Sequence, residues 1–167
     1  MKNRNIILCG FMGCGKSTVG TLLAKKNGMA FIDMDSYIEK KEKKTVSEIF
    51  ADSGEDYFRS LEREAARELS MKNGLVIAAG GGTLVFPENV EVLKKSGVIV
   101  LLDIHLETVA RRLENDTTRP LLNRPDKEQA MRELYERRLP LYRAAADRIV
   151  DADESPMQVC MRIMDEL

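Results

Sequence analysis

Five short apolar runs, separated by helical patterns, constrain the fold of this chain more than any other feature. Each run is mostly apolar throughout instead of alternating with polar residues, which favours strands that are covered on both faces. The runs occupy residues 5–9, 29–32, 75–79, 98–102 and 148–150. Their alternation with helices predicts an α/β fold with a mainly parallel sheet.

The segments between the runs predict seven helices. We expect these helices to begin near residues 15, 37 and 55, and after residues 87, 106, 125 and 155. No repeat, low-complexity tract or linker interrupts the pattern, so the 167 residues predict a single domain over 1–167. Residues 114–125 form the longest loop candidate, and we expect the part from about 114 to 124 to act as a lid.

The composition excludes several classes of protein. A net charge of -1, 5% aromatic residues and no tryptophan give neither a general attraction to nucleic acid nor a stacking surface for it. No apolar run approaches the roughly 20 residues of a membrane span. Three cysteines without metal-ligand spacing indicate a reducing compartment. We therefore expect a cytoplasmic monomer with no nucleic-acid and no membrane partner.

The segment GFMGCGKST, residues 10–18, follows the first apolar run and precedes a predicted helix. Gly10, Gly15, Lys16 and Ser17 match the pattern G-x-x-x-x-G-K-[ST] of a phosphate-binding loop. Its glycines let the backbone N–H groups turn inward onto phosphate oxygens, and the helix N-terminus adds partial positive charge. The loop residues predicted to bind a nucleotide are Gly13, Cys14, Gly15, Lys16, Ser17 and Thr18.

A phosphate-binding loop does not by itself separate kinases from GTPases, motors or regulatory ATPases. The length makes a motor improbable, and the guanine-reading pattern N-K-x-D is missing. The alternative without function is a glycine-rich turn followed by a chance Lys-Ser, which the strand before and the helix after the loop disfavour. Ser17 is the predicted hydroxyl ligand of Mg²⁺, and the Cys14 thiol is expected to be incidental because the backbone does the binding.

Further polar residues follow three other predicted strands. Asp33 and Asp35 follow the second, three glycines at 80–82 follow the third, and Asp103 follows the fourth. Ligands of open parallel sheets bind at the carboxyl ends of the strands, so these residues predict one shared site. Asp35 or Ser36 could instead serve as the N-cap of the following helix, which is compatible with a catalytic role.

Arginines are concentrated in the C-terminal third of the chain. The nine between Ile104 and Arg148 are Arg111, Arg112, Arg119, Arg124, Arg132, Arg137, Arg138, Arg143 and Arg148. Arginine binds phosphate and carboxylate in a bidentate manner, whereas interleaved acidic residues predict that about half of this set is only solvated helix surface. Arg59 has a comparable alternative, an ion pair on its own helix with Glu55 or Glu62.

Together these motifs resemble the shikimate kinase family. The ordered set is GFMGCGKST, IDMD at 32–35, FR at 58–59, GGG at 80–82, TRPLL at 118–122 and RRLPLY at 137–142. The resemblance implies a P-loop, nucleoside-monophosphate-kinase-like three-layer fold with five parallel strands in the order 2-3-1-4-5. It also implies transfer of the γ-phosphate of ATP to the 3-hydroxyl of shikimate, with Mg²⁺ as cofactor, on the route to aromatic amino acids.

The resemblance also implies a role for each matching residue. Lys16 and Ser17 serve ATP and Mg²⁺, and Asp33 lies near the magnesium shell. Asp35 binds shikimate hydroxyls and orients or deprotonates the nucleophile. The remaining implied contacts are the shikimate carboxylate for Arg59 and Arg138, shikimate for Gly80, Gly81 and Gly82, the transferring phosphate for Arg119, and adenine for Arg112.

One position departs from the family pattern, since many members carry Ser or Thr where this chain has Ala79. A hydroxyl contact from that position to the magnesium shell is therefore missing or replaced by water. Asp103 fits a generic pattern of an acid after an apolar strand, but ranks below Asp33 as a metal ligand. Two alternatives stay open: a gluconate or nucleoside-monophosphate kinase on the same fold, and a regulatory nucleotide-binding module.

Overall fold

A computed structural model describes residues 4–167, and a five-stranded parallel sheet organises them. The strands are β1 (Asn5–Cys9), β2 (Ala30–Asp33), β3 (Leu75–Ala78), β4 (Gly97–Asp103) and β5 (Arg148–Asp151). Their order in the sheet is β2-β3-β1-β4-β5, as expected from the resemblance, and every neighbouring pair is parallel. The expected strand bounds are correct to within one residue at either end.

The central strands are buried on both faces, which explains their continuous apolar sequence. All residues of β1 and β3 are buried, and Ile7 of β1 is paired with Ile77 of β3 on one side and Ile99 of β4 on the other. The edge strands are less covered, and Ile149 on β5 is 52% exposed. Burial therefore decreases from the centre of the sheet towards its edges.

Seven α-helices flank the sheet within residues 4–167. They are α1 (Lys16–Asn27), α2 (Met34–Glu42), α3 (Val46–Ser70), α4 (Pro87–Ser96), α5 (Leu106–Leu113), α6 (Lys127–Ala145) and α7 (Pro156–Glu166). Helix α1 packs against α7, α3 packs against α2 and α4, and α6 contacts α5 and β4. Short 3₁₀ turns lie at Thr83–Val85 and Pro120–Leu122. The prediction of an α/β fold with seven helices is confirmed.

Two helix starts differ from the sequence-based expectation. Helix α3 begins at Val46, because Thr45 and Glu48 form a capping box, and it kinks at Gly54, whose φ is 82°. The expected start near residue 55 corresponds to the part of α3 after this kink. Helix α2 begins at Met34 and is capped by Asp33, which accepts a hydrogen bond from the Ser36 N–H. Neither Asp35 nor Ser36 is the N-cap.

Parallel pairing brings the carboxyl ends of all five strands to one edge of the sheet. The glycine loop leaves this edge after β1, Asp33 ends β2, and the triple glycine follows β3. No helix among residues 4–167 combines the length and the apolar character needed to cross a membrane.

The close approach of β1 and β4 predicts a specific intolerance at Gly97. A Cβ there would lie 2.1 Å from the Asn5 carbonyl oxygen, in a backbone held by strand pairing. Gly97→Ala is expected to lower the free energy of unfolding by about 3 kcal/mol, because neither strand can retreat. Urea denaturation with fluorescence or circular dichroism measures the change.

Gly28→Ala is the matched control. Gly28 has a φ of 63° but nothing within 4 Å of its added Cβ, so only backbone strain of about 1 kcal/mol is expected. A loss of stability in Gly28→Ala as large as that in Gly97→Ala would contradict the steric explanation.

Candidate active site

A cavity of about 760 Å³ opens at the carboxyl edge of the sheet. It is bounded by the glycine loop, the ends of β2 and β3, helix α3, residues 118–121 and the segment after β5. Every residue predicted to contact nucleotide, metal or acceptor lines this one cavity: Gly13, Cys14, Gly15, Lys16, Ser17, Thr18, Asp33, Asp35, Arg59, Gly80, Gly81, Gly82, Arg112, Arg119 and Arg138. Residues distant in sequence thus form a single site.

The glycine loop curls because glycine permits a left-handed backbone. Gly13 has a φ of 76°, and Gly15, the N-cap of α1, has a φ of 96°. Lys16 reaches back across the loop, where its Nζ donates to the carbonyl oxygen of Gly10 at 2.7 Å and to that of Phe11 at 3.3 Å. The ammonium group is thereby held over the loop by neutral carbonyls, and its charge is not neutralised by an ion pair with any residue of the described chain.

Ser17 and Asp33 meet at the start of α1. The Ser17 hydroxyl donates to Asp33 Oδ2 at 2.7 Å, while Asp33 Oδ1 caps α2. A hydroxyl next to a carboxylate suits Mg²⁺, which prefers oxygen ligands and keeps several waters and substrate phosphates. No group of three or more acidic, histidine or cysteine side chains with metal-binding proximity occurs within residues 4–167. The donor set therefore fits a magnesium ion whose other ligands are phosphate and water.

Asp35 lies two residues after Asp33, in the first turn of α2. Burial raises the pKa of its carboxyl group from 3.8 to about 6, and the negative charges of Asp33 and Glu62 act in the same direction. Lys16 and Arg119 oppose this shift. Asp35 is thus mainly a carboxylate at neutral pH, with a higher proton affinity than an exposed aspartate.

Arg59 is held by acidic residues of its own helix. Its guanidinium donates to Glu62 at 2.6 Å and to Glu55 at 3.1 Å, as the ion-pair alternative predicted. However, the Arg59 side chain is only 10% exposed and packs against the triple glycine, where a Cβ at Gly82 would lie 2.1 Å from its Nη1. The ion pair therefore orients Arg59 within the cavity and does not remove it from the site.

Glu62 was predicted only as an ion-pair partner, yet it is one of the most buried charged residues in the structure, at 1% exposure. Besides holding Arg59, it accepts a hydrogen bond from the Thr83 hydroxyl at 2.9 Å. A Cβ at Gly80 would lie 2.7 Å from Glu62 Oε1 and 2.9 Å from Asp35 Oδ1. Its spacing of three residues from Arg59 was the only sequence signal of this role.

Arg138, on α6, differs from Arg59 in lacking an acidic partner. It is 6% exposed and forms no ion pair with any residue from 4 to 167. Burial lowers the pKa of its guanidinium, and the nearby charge of Arg59 lowers it further. A buried cation that the chain leaves without a counter-charge is the arrangement expected where a ligand supplies an anion.

The segment from 114 to 124, which we call the lid, places Arg119 at the cavity. The buried Arg119 Nε has no hydrogen-bond partner and lies 3.5 Å from Asp116 Oδ2. The lid is tied down at its start, where Lys127 Nζ donates to the carbonyl oxygens of Leu113, at 2.6 Å, and of Asp116. Arg119 therefore belongs to an anchored segment but keeps donor capacity for a ligand.

The far end of the cavity contains residues that the sequence did not reveal. Ala152, Glu154, Pro156 and Val159, on both sides of the start of α7, line it together with Arg112, which donates to the Gly13 carbonyl at 2.9 Å. No charge pattern or motif in the sequence marked this segment as part of the cavity wall.

Asp103 and His105 lie outside the cavity lining. Asp103 forms an ion pair with Arg143 at 2.9 Å, which agrees with its low rank as a metal ligand. His105, whose side chain is 78% exposed, contacts Asp153 at the start of α5. Cys9, Cys14 and Cys160 are free and buried.

Comparisons with known proteins give a consistent result. The family model described as Shikimate kinase matches residues 12–167. The shikimate kinase of Sulfurihydrogenibium sp. (strain YO3AOP1) is 43% identical over 164 residues, which cover 98% of this chain and 98% of that protein. The shikimate kinase of Persephonella marina is 44% identical over 161 residues, covering 96% and 97%.

Solved structures agree with these sequence relatives. Shikimate kinase from Acinetobacter baumannii in complex with shikimate superposes with a TM-score of 0.94 at 37% identity, covering 98% of this chain and 92% of that one. A sugar kinase from Janibacter sp. HTCC2649, at 17% identity and a TM-score of 0.62, shares only the fold.

The surroundings of Asp35 generate a prediction about its ionisation. The carboxyl carbon of Asp35, followed by ¹³C NMR during a pH titration, is expected to show a midpoint at about 6. Asp33→Asn removes a neighbouring negative charge and should lower this midpoint. Asp52→Asn, which removes a distant surface carboxylate paired with Lys44, should leave it in place. A wild-type midpoint near 3.8, the ordinary value for aspartate, would refute the described environment.

Proposed function

We propose that this chain, which belongs to the shikimate kinase family, phosphorylates the 3-hydroxyl of shikimate with ATP, and we assign the steps to individual residues. The products are 3-phosphoshikimate and ADP, on the route to aromatic amino acids. The observation that carries the residue assignment is the buried, unpaired Arg138 in the same cavity as the phosphate-binding loop. One end of the cavity suits a nucleotide, and the other suits a second, anionic ligand.

At the nucleotide end, the loop from Gly13 to Thr18 is assigned to the phosphates of ATP. The curled backbone and the N-terminus of α1 supply N–H donors, and Lys16 supplies a full positive charge. Lys16 only has to exchange its carbonyl partners for phosphate oxygens. Arg112 and the segment around Pro156 are assigned to the adenine ring, since they line the far end of the cavity.

Ser17 and Asp33 are assigned to the Mg²⁺ that accompanies ATP. When bound, the ion neutralises phosphate charge, and it orients the phosphates for transfer. The Asp33 carboxylate accepts from the Ser17 hydroxyl, which fixes the direction of the hydroxyl oxygen. Because Asp33 also caps α2, its position is determined by the fold as well as by its neighbour.

At the acceptor end, Arg59 and Arg138 are assigned to the carboxylate of shikimate. Two guanidinium groups give this carboxylate a directional grip that a single ammonium group could not give. Gly80, Gly81 and Gly82 have no side chains, and an added Cβ would collide with Glu62, Arg138 or Arg59. The glycines therefore let the arginines approach the backbone and leave room for the substrate ring.

Asp35 is assigned to the acceptor hydroxyl. A carboxylate with a pKa of about 6 is ionised at neutral pH and can accept the hydroxyl proton as the oxygen attacks phosphorus. Phosphoryl transfer depends largely on positioning, so orientation of the hydroxyl is the first contribution of Asp35 and proton removal the second. The charges of Lys16 and Arg119 lower the pKa of Asp35, which supports a hydroxyl site next to the phosphate site.

Arg119 and the lid complete the proposal. Closure of a lid excludes water from a transferable phosphate, and we assign to a phosphoryl oxygen the Arg119 guanidinium, whose Nε makes no hydrogen bond and lies 3.5 Å from Asp116 Oδ2. We further propose that residues 1–167 act as one kinase domain, that the protein is a monomer in the cytoplasm, and that neither nucleic acid nor membrane is a partner.

The acceptor assignment predicts a selective effect of Arg138→Lys. Lysine keeps the charge but loses the bidentate geometry, so KM for shikimate should rise about 10- to 100-fold, while KM for ATP barely changes. Coupled ADP release, measured with shikimate, gluconate, AMP and CMP as acceptors, provides the assay. Only shikimate is expected to support turnover in the wild-type protein.

Arg137→Lys is the control for this experiment, because Arg137 is exposed on the same helix and does not line the cavity. It should leave both KM values unchanged. An unaltered KM for shikimate in folded Arg138→Lys would refute the carboxylate assignment, and turnover with another acceptor alone would refute the substrate.

The lid assignment predicts that Arg119→Ala affects chemistry more than binding. Its kcat should fall about 100-fold or more, with a smaller change in KM, because the contact belongs to the transferring phosphoryl group. Arg124→Ala is the control, since Arg124 pairs with Asp126 at 2.6 Å and does not line the cavity.

Hydrogen exchange of residues 114–124 should slow when nucleotide and shikimate are both present. Equal exchange with and without these ligands would exclude closure of the lid.

A further inference from the structure

Tyr142 is a buried polar residue to which the proposed mechanism gives no role. It lies on α6, one turn after Arg138, and is 1% exposed. Its hydroxyl donates a hydrogen bond to the carbonyl oxygen of Gly81, the middle residue of the triple glycine. Because a carbonyl can only accept, the single phenolic proton is committed to this bond.

The phenol oxygen and the Arg138 guanidinium both lie beside Gly81. A Cβ built on Gly81 would lie 3.1 Å from Arg138 Nη1 and 3.8 Å from the Tyr142 hydroxyl oxygen, so the three groups meet at one place. The nearby phenol raises the pKa of Arg138 and so partly offsets the lowering caused by burial. The phenol thus lies beside the guanidinium while it donates to the glycine backbone.

The Tyr142 phenol is neutral, in contrast to the carboxylate partners of Arg59. Burial raises the pKa of Tyr142 far above its ordinary value, so the phenol keeps its proton. Arg59 is fixed by two carboxylates, whereas Arg138 has no carboxylate within ion-pair distance in the described part of the chain. A hydroxyl can orient a guanidinium without cancelling its charge, which a carboxylate cannot do.

We propose that Tyr142 is a positioning residue of the acceptor site, whose hydroxyl fixes the Gly81 peptide and the Arg138 guanidinium relative to each other while leaving the guanidinium charge free for the substrate carboxylate. This inference rests on the proposed function and adds a residue to it. Because the Gly81–Gly82 peptide is trans and planar, fixing the Gly81 carbonyl also fixes the Gly82 N–H, which has no backbone acceptor among residues 4–167.

Tyr142→Phe removes one oxygen atom and tests the proposal. KM for shikimate is expected to rise about 5- to 10-fold, the equivalent of one hydrogen bond, with KM for ATP unchanged within about 2-fold. Tyr135→Phe is the matched control. Tyr135 lies on the same helix and its hydroxyl also donates to a backbone carbonyl, but that carbonyl belongs to Ile104, at 2.7 Å, which does not line the cavity as Gly81 does. This variant should leave both KM values unchanged.

A double-mutant cycle with Arg138→Lys separates positioning from general loosening. If Tyr142 acts through Arg138, the double variant should bind shikimate no more than about 2-fold worse than Arg138→Lys alone. If the increases in KM for shikimate in the two single variants instead multiply in the double variant, the proposal is overturned. An unchanged KM for shikimate in folded Tyr142→Phe, or equal increases in both KM values, would overturn it as well.

Gly81→Ala provides a second route if Tyr142→Phe is too unstable to assay. Its Cβ would press on Arg138 Nη1 from the peptide side, so KM for shikimate should again rise while KM for ATP does not. An unchanged KM for shikimate would show that the contact is not fixed, and would overturn the proposal. Wild-type protein without activity on shikimate would instead refute the proposed function, so the two failures are distinguishable.

Discussion

Parallel pairing of β1 with both β3 and β4 is the constraint on which the rest of the structure depends. It places the first strand at the centre of the sheet, with its carboxyl end at the same edge as those of its neighbours. The loop that follows β1 is therefore flanked on one side by Asp33 and the triple glycine, at the ends of β2 and β3. The sheet itself brings the site together, because β2, β3 and β1 are neighbours and each is one strand spacing from the next.

At this edge, positive and negative side chains are matched unequally. Arg59 has two carboxylates, the Ser17 hydroxyl donates to Asp33, and Lys16 is held by neutral carbonyls. Arg138 has no carboxylate partner in the described part of the chain, and a neutral phenol lies near it. The result is a graded site, in which Arg59 is oriented by opposite charge and Arg138 keeps its charge for an incoming anion.

The sequence predicted the fold and the main cavity residues because their signals are local. Continuous apolar runs identified the buried strands, and the spacing of Gly10, Gly15 and Lys16 identified the loop. Their neighbourhood in the sheet followed from the rule for parallel strands. The family resemblance was needed for Arg59, Arg119 and Arg138, since an arginine on a helix surface and one in a site look alike in sequence.

The signals that failed were those that depend on tertiary contacts or on backbone detail. Glu62 is buried only because α3 packs against the triple glycine, and Tyr142 only because α6 brings its hydroxyl to Gly81. The kink at Gly54 hid the true start of α3, because a glycine with positive φ can end one helix or bend a longer one. These features follow from packing between distant elements, which no window of sequence contains.

The groups assigned to ligand binding also oppose folding, so the site lowers the stability of the protein without ligand. A buried guanidinium without a carboxylate, a buried Nε without an acceptor and three acidic residues side by side are each unfavourable in the protein alone. The raised pKa of Asp35 expresses the same conflict, because it makes the free energy of unfolding fall as the pH rises from 3.8 to about 6. An anionic substrate gives the guanidinium its missing counter-charge, so binding and folding stabilise each other through the same contacts. The apolar core of the parallel sheet stabilises the fold and so offsets the unfavourable burial of these charged groups.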